Sequence, residues 1–191
     1  TLVAALVGDG VVGWDDRIAD LDPGFQLSDP AATSQVTLRD LFSHRSGLPD
    51  FAGDLLEDMG YGRAEILRRL RLLPLSSPRS KYAYTNFGLT EAAVAAAKKA
   101  GRSWEGQIAL RLYKPLGMAS TSSRVADYRA AKNRALLHAR VGGKFVAKYQ
   151  RNPDPESPAG GVSSTARDLA QWARLHLAGG KYGGKQLISA E

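Results

Sequence analysis

Apolar residues recur every three or four positions through much of the chain, the spacing that places them on one face of an α-helix. Polar motifs and glycines mark where these helices begin and end. Thr37-Leu38-Arg39-Asp40 has the form of a capping box, and Gly47 is expected to end the same helix in the left-handed conformation. Thr165-Ala166-Arg167-Asp168 has the form of a second capping box. The predicted helices cover residues 1–7, 63–73, 87–100 and 103–112, a segment from Leu38 to the cap at Gly47, and a further segment that starts after Thr165.

Few stretches have the pattern of strands. Gly142-Gly143 lies between apolar pairs and predicts a small hairpin, while Lys181–Lys185 is a glycine-rich turn and residues 119–135 are polar and without a period. Gly8-x-Gly10-x-x-Gly13 matches a dinucleotide-binding pattern, but it lacks the strand before it and the helix through its third glycine. Gly8 or Gly10 ending the first helix explains this motif. The sequence therefore predicts a mainly α structure with one or two short β-hairpins.

The composition is that of one globular domain spanning residues 1–191. Apolar residues make up 43% of the chain and charged residues 24%, and 191 residues are enough to enclose one core. The chain contains no cysteine, and its three histidines lack the spacing of metal ligands, so no metal and no cofactor is expected. No apolar run approaches the roughly 20 residues that span a membrane.

The net charge of +7 raises the question of a nucleic-acid partner. The densest basic group, Arg63, Arg68, Arg69 and Arg71, lies on a predicted helix whose other face is apolar. No aromatic residue stands between these arginines to stack on bases, so a solvated helix face explains them and no nucleic-acid partner is expected. A basic nucleic-acid-binding module remains an alternative, whose signature is steeply salt-dependent binding.

Tyr84-Thr85-Asn86 is the stretch with the clearest chemical potential. It directly precedes the alanine-rich helix, so a phenol and a carboxamide leave the start of that helix side by side. A phenol can move protons, and an amide can both donate and accept hydrogen bonds. The alternative is structural: Thr85 or Asn86 caps the helix, and Tyr84 is a half-buried aromatic residue beside it. His44 is a second candidate, either as a base paired with Asp40 or as a structural group at a helix end.

Four segments in order resemble the serine β-lactamase-like family, which includes class C β-lactamases, D-Ala-D-Ala carboxypeptidases and related esterases. The resemblance covers nearly the whole chain. The segments are Val36–Pro49, Tyr84-Thr85-Asn86, Lys114-Pro115-Leu116-Gly117-Met118 with Thr121, and Pro158–Leu169.

The resemblance implies a fold and a set of roles. This chain would form the helical lobe of a larger α/β fold, and Tyr84 would act as general acid and base. Asn86 would bind the substrate amide, and the backbone around Gly160 and Gly161, where the sequence indicates a tight approach, would border the cleft. The substrates of the family are β-lactams, D-Ala-D-Ala peptides and esters, and by resemblance the protein would be periplasmic or secreted.

Two further motifs of the family are absent from the 191 residues. No Ser-x-x-Lys occurs, and Lys181-Tyr182-Gly183 lacks the Thr or Ser of Lys-Thr-Gly. The resemblance places the serine and lysine just before Thr1 and the third motif beyond Glu191. The expectation is a portion of a serine acyl hydrolase that is inactive without its nucleophile and that associates through an exposed face where a sheet would pack. The alternative is a non-catalytic protein that binds cell-wall peptide or a regulatory partner.

Overall fold

The computed structural model describes residues 1–189 and consists mainly of helices. A 3₁₀ turn at Leu70–Leu72 extends α6, a π turn at Ala109–Tyr113 extends α8, and a 3₁₀ turn at Asp154–Glu156 leads into α10. Most of the predicted helices lie where the apolar spacing indicated them. The helices are α1 (Leu2–Gly8), α2 (Ile18–Leu21), α3 (Pro30–Gln35), α4 (Leu38–Phe42), α5 (Asp54–Asp58), α6 (Arg63–Arg69), α7 (Asn86–Lys99), α8 (Trp104–Ile108), α9 (Val125–Ala130), α10 (Ser157–Gly160) and α11 (Ala166–Leu177).

The strands form two separate antiparallel hairpins. β1 (Ala139–Val141) pairs with β2 (Lys144–Val146), and β3 (Lys181–Tyr182) pairs with β4 (Lys185–Gln186). In the first hairpin Gly142 and Gly143 both have positive φ, as a two-residue hairpin turn requires. The prediction of a mainly α structure with one or two short hairpins is confirmed. Within residues 1–189, no helix combines the length and the apolar character needed to cross a bilayer.

Helix α7 occupies the centre of the fold. Its alanines let neighbouring backbones approach closely, and α1, α2, α4, α8 and α10 all pack against it. Phe87, Ala92, Ala93, Ala96 and Ala97 are fully buried there. Burial of a side chain as large as Phe87 stabilises the fold by about 1.5–3 kcal/mol. The first turn of α7, which carries Asn86, is therefore held on a rigid element.

The capping box at Thr37 is confirmed, but the predicted cap at Gly47 is wrong. Thr37 Oγ1 accepts from the Asp40 backbone N–H, and the Asp40 carboxylate accepts from the Thr37 N–H. The helix ends earlier than predicted, and His44 takes the left-handed position with φ of 57°. Gly47 is also left-handed, but its role is close approach, because a Cβ there would lie 2.3 Å from the Ser76 carbonyl oxygen.

The second predicted capping box is formed only in part. Thr165 Oγ1 accepts from the Asp168 N–H at 3.2 Å, as predicted. The Asp168 carboxylate instead accepts from the Ser120 N–H at 2.8 Å and from Thr121 Oγ1 at 2.7 Å. Asp168 thus ties α11 to the loop after Met118. That loop was predicted to be irregular, yet it leads into the short helix α9.

The glycine motif near the start of the chain ends a helix, as predicted. Gly10 is left-handed with φ of 70°, and its N–H donates to the Val7 carbonyl at 2.9 Å. The Val11 N–H donates to the Leu6 carbonyl at 2.9 Å, which completes a Schellman motif. The motif therefore does not open a dinucleotide-binding turn.

Candidate functional site

Tyr84 and Asn86 lie side by side at the start of α7. Thr85 is the N-cap residue and Asn86 is the first helical residue, so Tyr84 directly precedes the cap. The Tyr84 ring is 38% exposed. It packs against His44, with 4.6 Å between ring centroids, and against Phe51 at 5.8 Å. The phenol therefore stands on a fixed aromatic support while one side remains open to solvent.

His44 supports the backbone before α7. Its Nδ1 accepts from the Thr85 N–H at 3.2 Å, and its carbonyl accepts from the Ala83 N–H at 2.9 Å. Burial lowers the pKa of His44, which favours the neutral ring that this acceptor role requires. The Asp40 carboxylate is bound to Arg79 at 2.7 Å and does not pair with His44. Of the two interpretations of His44, the structure supports the structural one.

A loop of residues 50–54, here called the brace loop, holds both ends of the Tyr84–Asn86 segment. The Tyr84 N–H donates to Asp50 Oδ1 at 2.7 Å, and the Phe51 N–H donates to the Tyr84 carbonyl at 2.7 Å. Asn86 Nδ2 donates to Asp54 Oδ2 at 2.9 Å. These three hydrogen bonds fix the backbone at Tyr84 and one side of the Asn86 carboxamide.

Gly53 allows the brace loop to come this close. Its φ is 95°, and a Cβ there would lie 2.8 Å from Ile66 and 2.9 Å from the Phe87 ring. A larger residue would meet both a left-handed backbone and a filled space. The absence of a side chain at Gly53 therefore places Asp54 against Asn86.

Gly160 and Gly161 lie at the end of α10, which packs against α7. A Cβ on Gly160 would lie 2.6 Å from Glu156 Oε1, and a Cβ on Gly161 would lie 2.5 Å from the Ser157 Cα. The tight approach predicted at these glycines is thus present. The structure brings Tyr84 and Asn86 together directly, whereas Gly160 lies against Glu156, which belongs to a group of charged side chains.

That group consists of Asp54, Glu57, Arg151 and Glu156, here called the carboxylate cluster. Arg151 Nε donates to Glu57 Oε1 at 2.7 Å, and Arg151 Nη2 donates to Glu156 Oε1. Glu156 is only 2% exposed. Its burial and the nearby Glu57 raise its pKa to about 7. Burial also raises the pKa of Asp54, against the hydrogen bond from Asn86.

Sequence reasoning missed the brace loop and the carboxylate cluster. Asp54 lies 32 positions before Asn86, and Arg151 lies 94 positions after Glu57. No local period connects residues so far apart. The one local signal was the acid- and glycine-rich composition of residues 50–62, which indicated a loop without showing what it contacts.

The arrangement has the groups for proton transfer and amide recognition. Tyr84 can donate or accept one hydrogen bond through its hydroxyl, and Asn86 keeps its Oδ1 acceptor and one of its two N–H donors. The start of α7 adds backbone N–H groups and the positive end of a helix dipole, both of which favour negative charge. The 191 residues contain no Ser-x-x-Lys motif.

Comparison with known proteins assigns the family. The family model described as Beta-lactamase matches residues 1–190. Penicillin-binding protein 4 of Amycolatopsis lactamdurans is 28% identical over 191 residues, covering 93% of this chain and 47% of that protein. An unguisins hydrolase of Aspergillus campestris is 30% identical over 177 residues, covering 87% of this chain and 33% of that protein. The chain thus spans less than half the length of these relatives.

Solved structures show the same fold. The octameric penicillin-binding protein homologue from Pyrococcus abyssi superposes with a TM-score of 0.78 at 21% identity, over 99% of this chain and 44% of that one. A class C beta lactamase superposes with a TM-score of 0.73 at 18% identity, over 97% of this chain and 49% of that one. Together with the family match over almost every residue, these findings show that the chain belongs to the beta-lactamase family.

Proposed function

We propose that this chain supplies part of the active site of a serine acyl hydrolase that cleaves amide or ester bonds. Tyr84 is the general acid and base, Asn86 binds the substrate amide, and the backbone at Gly160 and Gly161 borders the cleft. The observation that carries the proposal is the side-by-side placement of Tyr84 and Asn86 at the start of α7, fixed by the brace loop. The names of relatives support this class, since they include penicillin-binding proteins and a hydrolase.

The proposed reaction has two steps. The serine oxygen bonds to the carbonyl carbon, its proton passes to the base, and the C–N or C–O bond breaks as the leaving group takes up a proton. Water then attacks the acyl-serine and releases the acid. Tyr84 takes part in both proton transfers. The serine and its lysine partner lie outside the 191 residues, so this chain by itself is expected to form no acyl-enzyme.

Tyrosine substitution in the full-length gene product tests the role of the phenol. Tyr84→Phe removes the hydroxyl and keeps the ring that packs on His44 and Phe51. We expect kcat/KM for a chromogenic ester and a chromogenic cephalosporin to fall by about 10²–10⁴-fold, the usual contribution of a positioned acid or base.

Tyr82→Phe is the matched control, because Tyr82 also contacts His44 but is largely exposed and lies outside the Tyr84–Asn86 pair. Equal losses in both variants would contradict the role of Tyr84. Reversible binding of the cephalosporin by the wild-type protein, without turnover or adduct, would instead support the alternative of a non-catalytic binding protein.

A further inference from the structure

We infer that Asp54 is a positioning residue that holds the Asn86 carboxamide in one orientation. The inference deepens the proposed function and rests on it to the extent that Asn86 binds substrate. Asp54 itself has no proposed contact with substrate.

The contact determines which way the amide faces. A carboxylate offers only acceptors, so the hydrogen bond of 2.9 Å between Asn86 Nδ2 and Asp54 Oδ2 turns the amide nitrogen toward Asp54. Asn86 Oδ1 then faces away from Asp54 and is available to accept from an N–H group. The second Nδ2 hydrogen remains free to donate. An amide group of the substrate can use both, through its N–H and its carbonyl oxygen, whereas an ester group can use only the donor.

The surroundings of Asp54 make the contact rigid. Asp54 is the first residue of α5, and the close approach of Gly53 to Phe87 fixes the distance between α5 and the start of α7. Asp54 Oδ1 is buried without a hydrogen-bond partner among residues 1–189. Among the described residues, the bond to Asn86 is therefore the one hydrogen bond that the Asp54 carboxylate makes.

The charge on Asp54 depends on its surroundings. Burial raises the pKa of Asp54, whereas the hydrogen bond from Asn86 and the positive charge of Arg151 oppose this shift. Arg151 itself donates hydrogen bonds to Glu57 and Glu156, and Glu156 Oε1 fills the space beside Gly160. An Asp54 that gained a proton would donate to Oδ1 and reverse the amide.

The test uses the full-length gene product labelled with ¹⁵N at asparagine side chains. The Asn86 signal is assigned by its loss in Asn86→Ser, and the other two asparagines of the 191 residues, Asn133 and Asn152, are assigned in the same way. We expect Asp54→Leu to move the Asn86 Nδ2 resonance to that of an exposed amide such as Asn133. Asp54→Asn keeps a carbonyl acceptor and is expected to keep the shifted resonance.

Kinetics provide the second readout. For an amide substrate, kcat/KM is expected to fall by about 10²-fold in Asp54→Leu, the effect of a misplaced binding group, and to recover to within a few-fold in Asp54→Asn. Asp20→Leu, which removes an exposed carboxylate on α2, is the matched control and is expected to change neither readout.

An unchanged Asn86 resonance in Asp54→Leu would overturn the inference, as would equal loss in both Asp54 variants at unchanged thermal stability. A wild-type protein without any acyl transfer would overturn the proposed function instead, while the resonance would still decide whether Asp54 orients Asn86.

Discussion

Glu91 carries an ionisable carboxyl group that is buried in the middle of the central helix α7. Its side chain is 3% exposed, and its Oε1 has no hydrogen-bond partner among residues 1–189. Burial, and then the nearby Asp22, raise the pKa of Glu91 to about 7. The folded protein therefore keeps a proton on Glu91 that the unfolded chain, with an ordinary pKa of 4.5, gives up.

Glu91 should make stability fall with rising pH. Below pH 4.5 both states hold the proton, between pH 4.5 and 7 the unfolded chain loses it first, and above pH 7 the full cost of about 3 kcal/mol remains. Glu91→Gln removes this titration. Urea unfolding is expected to show a stability gain of roughly 1–3 kcal/mol at pH 8 and little change at pH 4.5. The same gain at both pH values would contradict the assignment.

At the scale of elements, Asp168 joins two segments that carry the family resemblance. Its backbone N–H donates to Thr165 Oγ1, and its carboxylate accepts hydrogen bonds from Ser120 and Thr121 in the loop after Met118. Loss of the Thr165 side chain leaves one helix N–H without its cap. Loss of the Asp168 carboxylate leaves the Ser120 N–H without its acceptor and removes a charged partner of Thr121, whose hydroxyl keeps its contact with Ser164.

Asp168→Ala should therefore destabilise the fold more than Thr165→Ala. Loss of the cap in Thr165→Ala is expected to cost about 1 kcal/mol. Asp168→Ala keeps the backbone N–H that Thr165 caps and loses the two charged contacts to Ser120 and Thr121, at an expected cost of roughly 2–4 kcal/mol. Chemical denaturation of both variants measures the difference, and an Asp168→Ala cost no larger than that of Thr165→Ala would contradict the importance of these two contacts.

The features predicted from the sequence are those that depend on neighbouring residues. The capping box of Thr37 with Asp40 and the hairpin turn at Gly142 and Gly143 each involve residues within four positions, so both could be predicted from the sequence. The left-handed conformation of His44 at the helix end could not be predicted. It is favoured by packing against Tyr84 and by hydrogen bonds to residues 83 and 85, whereas the sequence indicated Gly47 for this position. Tyr84 and Asn86 were identified from their spacing. The contact of Asp54 with Asn86 could not be predicted, because it depends on the close approach of the backbone at Gly53 in the folded chain.

At the scale of the whole molecule, one surface feature is an apolar groove of about 490 Å³. It runs beside the first turn of α1 and is bordered by α8 and α11. The family resemblance implies that a sheet covers this face in a longer protein. The groove residues include Trp104, Ile108, Leu112, Val162, Leu169 and Trp172.

The 191-residue chain is predicted to self-associate through this groove, since monomers rarely expose large continuous apolar patches. Light scattering after size exclusion should give a mass above the 20.5 kDa of one chain. A Val162→Lys, Leu169→Lys double variant should shift the mass toward the monomer. Leu177→Lys is the matched control on the same helix, where Leu177 is 88% exposed and does not line the groove. A wild-type chain that elutes as a stable monomer would contradict this prediction.

Acyl transfer is tested most directly by intact mass spectrometry after exposure to a penicillin and to an activated ester. The full-length gene product is expected to gain one acyl group, more slowly in Tyr84→Phe, while the 191-residue chain gains none. A stoichiometric, site-specific adduct on the 191-residue chain would contradict the proposal that its nucleophile lies elsewhere. A full-length protein that stays unmodified and turns over neither compound would contradict the assignment of acyl-transfer roles to Tyr84 and Asn86.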